Sequence, residues 1–282
     1  MLKQRIITAL VLLALLLPAL FAVNPWPFMV LTVVMMAAGA WEWGRLNAMG
    51  PWWSWVGALW TLAMCGLTWR MGWVQFTPPQ LWLLAGAGWV LLGAWMIHRG
   101  VAGWTLCPKI LRWSLGLFLL VMAWLALAQG HQRGVNFLLS VLVLVWAADV
   151  FAYFFGRAFG GRWVGVKLAP SISPGKSWEG VFGGMLGVLL VALIWMEVDR
   201  RWALQGLSFY SLLFAKGAWL AWPALLFMSA MSVVGDLVES LVKRSAGMKD
   251  SSALLPGHGG ILDRVDALLP TLPLAMMLVA WI

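Results

Sequence analysis

The sequence predicts an all-α, polytopic integral membrane protein of about nine transmembrane helices, N-terminus in the cytoplasm. Three observations predict it. Of 282 residues, 63% are hydrophobic and only 10% are charged, whereas a soluble domain is about half apolar and about a quarter charged. The apolar residues form long unbroken runs rather than alternating stretches, and within a bilayer only helices or closed barrels satisfy their own backbone. Finally, most of the 19 basic residues fall on the side of the N-terminus, among them Arg45, Lys109, Arg112, Lys243 and Lys249. Arg70, Arg133, Arg200, Arg201 and Lys216 fall on the other, so the positive-inside rule fixes the orientation. The net charge of +9 therefore reports topology and anionic lipid rather than nucleic acid.

The first span, 6–23, follows the basic start MLKQR and has the look of a signal peptide. Another apolar run follows it instead of a soluble domain, so it is read as a retained span. The rest are expected near 28–46, 53–69, 80–97, 113–129, 136–155, 179–197, 218–242 and 267–282. Breaks at NPWP (24–27), TPP (77–79) and HQRG (131–134) carry turn residues. The third and fourth spans are the weakest, diluted by Trp and Gly. Many of the 23 tryptophans lie near span ends, as interfacial anchors do. Gly180/Gly184 and Gly183/Gly187 give the seventh span a small-xxx-small packing face. Cys65 and Cys107 show neither a disulfide framework nor ligand spacing. Residues 1–130 read as an N-terminal membrane region, and 131–282 as a catalytic region whose loops carry the motifs.

Five of the ten acidic residues lie between 236 and 266, and acids near a bilayer are costly enough to signal function. In SVVGDLVESLVKR (232–244), helical spacing puts Asp236, Glu239, Ser240 and Lys243 on one face. Asp263 and Asp266 form a second i, i+3 pair. Paired carboxylates suit a hard cation such as Mg2+. Lys243, Arg244, Lys249 and Arg264 are interleaved with them, which suggests a metal bridging to phosphate. The plainer alternative is a row of solvated salt bridges on a loop.

A second polar cluster runs through 149–180. Asp149 ends an apolar helix, where an ionised carboxylate needs a partner. SISPGKS is not a Walker motif, because Pro170 stands where the first glycine belongs and no strand precedes it. Lys176 still offers a point charge for phosphate, and Ser177 is an expected N-cap. His258 invites a catalytic-base reading, but no other histidine is spaced to pair with it.

The segment SLVKRSAGMKDSSALLPGHGGILDRVD (240–266) resembles the signature of the CDP-diacylglycerol synthases, or phosphatidate cytidylyltransferases. GDLVES (235–240), the Asp149–Tyr153–Gly156–Arg157 pattern and SPGKSWEG (173–180) resemble the family's other shared segments. The resemblance implies condensation of CTP with phosphatidic acid to CDP-diacylglycerol and pyrophosphate, at a bacterial inner membrane with the site facing the cytoplasm. It implies Mg2+ held by Asp236 and Asp263, with Glu239 and Asp266 as near neighbours. Lys176, Lys243, Arg244, Lys249 and Arg264 would grip phosphates. Asp149 would orient basic residues or support the metal, and Ser240, Asp250, His258, Gly259 and Gly260 would contact substrate. A second cation and a homodimer stay open. Two alternatives remain: a CTP-dependent polyprenol or lipid kinase, and an ion-coupled transporter.

Overall fold

The structure, a computed structural model, describes residues 2–202 and 206–281; Ile282, where the last expected span ends, lies outside the described residues. Eleven helices account for nearly all of these residues: α1 Leu2–Phe21, α2 Trp26–Leu46, α3 Gly50–Arg70, α4 Pro79–Leu106, α5 Lys109–Arg133, α6 Val135–Phe159, α7 Trp178–Trp202, α8 Phe209–Ala215, α9 Ala218–Ser245, α10 Leu262–Val265 and α11 Leu268–Ala280. There is no strand among the described residues, only isolated bridges at Ala169–Ser173 and Leu255–Gly259. Each expected span coincides with one helix. The chain is an all-α polytopic membrane protein in which seven helices (α1, α2, α4, α5, α6, α7 and α9) have the length and hydropathy to cross a bilayer.

The other two expected spans differ for physical reasons. Helix α3 is long enough at 21 residues, but Trp and Gly hold its hydropathy below that of the others. Helix α11 has only 13 residues, and Pro270 to Met276 are all buried. A helix apolar on every side belongs inside a bundle, and α11 packs against α4, α5 and α9. Helix α4 continues past the expected end at 97, bent where Gly100 leaves helical geometry (φ 66°, ψ −168°).

Two packing features hold the site in place. The closest helix pair is α6 with α7, and glycines line the α7 side of the seam. A Cβ on Gly184 would lie 2.8 Å from the carbonyl oxygen of Ala148, and one on Gly180 3.0 Å from that of Ala152. Such approach gains dispersion contacts that larger residues forbid. At the far end of the pair, Asn136 Nδ2 donates to Asp199 Oδ1 at 2.9 Å. The hydroxyls of Ser208 and Ser211 also donate to Asp199, tying α6, α7 and α8 together. Helix α1 lies at the edge of the bundle, its Ile6, Ile7, Leu10 and Val11 exposed. Its N-terminal end touches the loop after α9, where the Thr8 hydroxyl donates to Pro256 O at 2.9 Å.

The α6–α7 seam makes a direct prediction. Gly184→Leu overpacks backbone against side chain, which costs roughly 1–3 kcal/mol, and lowers the thermal unfolding midpoint of protein purified in detergent. Gly66→Leu, at a position with open space around it, leaves the midpoint unchanged. Equal midpoints for the two variants would rule out the seam as a close-packed contact.

Candidate active site

The last turns of α9 carry Asp236, Glu239, Ser240 and Lys243. Asp236 faces a cavity of about 420 Å3, shared with Asp149, Tyr153, Gly156 and Arg157 of α6 and with Lys176, Ser177 and Gly180. Lys176 Nζ stands 2.6 Å from Asp236 Oδ2, and Ser240 Oγ lies 3.3 Å from Asp236 Oδ1. The Tyr153 hydroxyl accepts from Arg157 Nη1 at 3.1 Å.

Lys176 is positioned by the turns that join α6 to α7. Glu179, buried in the first turn of α7, accepts from Trp163 N at 2.9 Å and Val164 N at 3.0 Å. Ser177 caps the helix as expected, its Oγ accepting from Gly180 N at 3.2 Å. Lys176 N donates to Ser173 O at 3.2 Å. The segment is a loop folded on a buried carboxyl, with no strand before it, which agrees with setting aside the Walker reading.

A second centre forms around Lys243. Its Nζ lies 2.6 Å from Glu239 Oε2 and 2.6 Å from Asp263 Oδ1. Glu239 is 5% exposed, and its Oε1 has no hydrogen-bond partner among the described residues. Asp263 Oδ2 accepts from Ser251 N at 2.9 Å, Ser251 Oγ at 2.8 Å and Gly260 N at 2.8 Å. Burial pushes the Asp263 carboxyl up, but Lys243 and these donors outweigh it and hold its pKa down at about 2.

The loop that presents Asp263 is clamped by Glu42 of α2, which is fully buried. Its two carboxyl oxygens accept from Ile261 N at 2.9 Å and Leu262 N at 2.8 Å. They also accept from Ser251 Oγ at 3.1 Å and Ser252 Oγ at 2.5 Å. The two glycines of HGG fit this clamp. Gly259 has φ +81°, and a Cβ there would meet Asp263 Oδ2 at 2.7 Å; a Cβ on Gly260 would collide with Ser251 Oγ and Glu42 Oε1. Backbone must approach both carboxyls, and only glycine allows it.

The acids lie near one another without forming a cage. Burial, and next the Asp236 carboxylate, raise Asp266 well above the ordinary carboxylate range; Asp149 adds to the push. Among the described residues no three His, Cys, Asp or Glu side chains converge as a ready cation site. Instead, two lysine-paired centres divide three of the four expected ligands, Asp236 from Glu239 and Asp263, and Asp266 accepts from Ala267 N at 2.8 Å. Mg2+ is ordinarily held by one or two carboxylates together with substrate phosphate oxygens. The donor set fits that mode: hard oxygens of Asp236, and the Asp263 Oδ1 that meets only Lys243.

Other expected residues stand apart from these pairs. Arg244, Lys249 and Asp250 are exposed, and Arg244 Nη1 reaches Met248 O at 3.4 Å. Arg264 Nη2 donates to His258 O at 2.8 Å, so this arginine pins the loop. His258 N donates to Leu255 O at 2.8 Å, and its Nδ1 is buried without a partner. Sequence reasoning missed Glu42, Ser251 and Ser252. Glu42 carried one usable signal, as the only acid before Asp149 and inside an apolar run, where a carboxyl needs partners.

Glu42→Gln puts an amide N–H where the loop needs acceptors, leaving a buried donor unsatisfied at a cost of about 1–3 kcal/mol. Hydrogen exchange of the Ile261 and Leu262 amides should accelerate markedly, with the α6–α7 amides unchanged. Unaltered exchange at those two amides would refute the clamp.

Comparison with known proteins identifies the family. The family model described as "Cytidylyltransferase family" matches residues 3–282. A phosphatidate cytidylyltransferase of Pseudomonas aeruginosa is 40% identical, covering 97% of this chain and 95% of its own length. One of Haemophilus influenzae is 36% identical, covering 97% and 96%. The chain belongs to the cytidylyltransferase family.

Proposed function

We propose that this chain transfers the cytidylyl group of CTP to phosphatidic acid, giving CDP-diacylglycerol and pyrophosphate for phospholipid synthesis. The observation that carries the reading is the Lys176–Asp236 pair inside a polar cavity at the end of apolar helices, in a chain that matches phosphatidate cytidylyltransferases over nearly its whole length. A lipid phosphate reaches such a cavity from the membrane surface, and a nucleotide reaches it from water.

An oxygen of the phosphatidic acid phosphate attacks the α-phosphorus of CTP. The new P–O bond forms as the α–β bridging bond breaks, and pyrophosphate leaves with the bonding pair. The attacking phosphate is already ionised, so no general base is needed, and His258, bonded through its backbone, is not assigned one. Catalysis is alignment and neutralisation of two anions. Lys176 and Lys243 supply positive charge, the first held in place by Asp236 and the second by Glu239 and Asp263. Tyr153 and Arg157 complete the polar wall. Asp236 and Asp263 would hold Mg2+, which when bound neutralises phosphate oxygens as charge develops. Lys249 and Arg244, exposed beside the loop, suit the outer phosphates of an arriving nucleotide, and Asp250 between them and the glycines suits a donor group of the substrate.

We place α3 and α11 with the seven long helices to give nine membrane elements, and the N-terminus, the loop and both lysine centres on the cytoplasmic side of a bacterial inner membrane. The contact of Thr8 with Pro256 supports a common side for the N-terminus and the loop, and the basic residues favour the cytoplasm.

CTP labelled at the α-phosphorus should pass its label into lipid with the purified protein, Mg2+ and phosphatidic acid, while γ-label should leave as pyrophosphate. Label arriving from the γ position alone would identify a lipid kinase. Asp236→Asn and Lys176→Ala should each lower kcat/KM by about 100-fold or more, with the fold retained by circular dichroism.

A further inference from the structure

Across α9 from the polar cavity lies a second one, of about 360 Å3, among α2, α4, α5 and α9. Trp43, Trp89, Leu92, Trp104 and Leu119 form much of its wall, and Glu239 is the one carboxyl in it. That carboxyl is 5% exposed with Oε1 unpartnered. The cavity reaches the surface at Trp95 (40% exposed) and Leu111 (48% exposed), on two helices apolar enough to meet lipid. Arg112, 7% exposed, stacks 5.6 Å over Trp104, and its Nε has no partner among the described residues.

We infer that this cavity holds an acyl chain of the phospholipid substrate, admitted between α4 and α5, and that the space over Gly88 sets the chain length accepted. The inference rests on the phosphatidate reading and adds where its hydrocarbon goes. Water in such a cavity finds too few polar partners to be stable, whereas hydrocarbon gains contact and loses nothing. The polar end of the lipid belongs at the Glu239–Lys243 turn, about 6 Å of helix rise apart. There the Lys243 ammonium, paired with Glu239 at 2.6 Å, suits a phosphate, and the free Glu239 Oε1 can accept from a protonated phosphate oxygen. Gly88 lines the cavity, and a Cβ there meets nothing within 4 Å. A larger side chain would therefore fill space rather than displace neighbours.

The test compares dioctanoyl and dioleoyl phosphatidic acid in detergent micelles. Gly88→Leu should lower kcat/KM for the dioleoyl substrate about tenfold relative to the dioctanoyl one, chiefly through KM, since a displaced Leu-sized burial is worth about that factor. Gly88→Ala should fall between, and retained dioctanoyl turnover reports a folded variant. Losses equal for both chain lengths, or no loss for either, across the two variants would overturn the inference. A second readout needs no turnover. Cys107 lines the cavity while Cys65 is 0% exposed, so N-ethylmaleimide reports on Cys107. Dioleoyl phosphatidic acid should slow that labelling several-fold and glycerol 3-phosphate should not. Labelling unaffected by the lipid overturns the inference; protection without cytidylyl transfer keeps the cavity assignment and sinks the proposed activity instead.

Discussion

A carboxyl group sealed inside a membrane protein must be surrounded by donors, and the site grows from one such constraint at Glu42. Burying it without partners would cost several kcal/mol. Two backbone N–H groups and two serine hydroxyls meet that demand, and all four come from a loop more than two hundred residues further on. Its shape follows from the carboxyls it encloses, first Glu42 and then Asp263, with Gly259 and Gly260 as the positions where backbone must come closest. Because Ser251 Oγ touches both carboxyls, displacing either one disturbs the other. Asp263 in turn fixes Lys243, so a residue of α2 governs the position of an ammonium on α9.

Helix α9 is the partition on which the chemistry is divided. Asp236 looks toward the α6–α7 seam and a polar cavity, whereas Glu239 looks toward α4 and α5 and a cavity walled with indole and leucine. A substrate with a charged head and hydrocarbon tails needs both environments within a few ångströms, and a helix about 10 Å thick with its side chains supplies them on its two flanks. The tight glycine packing of α6 on α7 serves this arrangement. It brings Lys176, at the start of α7, across to Asp236 without a long side-chain reach.

Hydropathy made the membrane elements legible because a span is defined by a continuous property of its own residues. What depended on distant partners was not legible. Helix α11 reads in sequence like any apolar run, and only the bundle around it explains why 13 residues suffice. The spacing of Asp236 and Glu239 put them on one face, but three residues advance a helix by about 300°, and the small residual angle suffices to aim them into different cavities. Glu42 stood out in sequence as an acid in an apolar helix, yet its partners lie more than two hundred residues away. The loop contacts of Arg264 and His258 were likewise not legible, since they depend on how the backbone around the glycines turns. The α7 cap at Ser177 was readable, since its partner is three residues on.

The lysine–carboxylate pairs bear on how such a site handles charge. Unpaired lysines at the end of a membrane helix would repel each other and lose solvation, and unpaired aspartates would do the same. Paired, each lysine is neutralised and oriented before any substrate arrives. A phosphate entering the site would exchange one anionic partner for another at the ammonium, and the charge it adds would need a counter-ion. The released carboxylate would then be free to hold a cation brought in with the phosphate. With such a cation the net charge in the pocket would change little, so the reorganisation that opposes reaction between two anions would stay small. That reasoning favours keeping the acids and bases interleaved, as they are in the stretch from Asp236 to Asp266, over separating them into an acidic patch and a basic one.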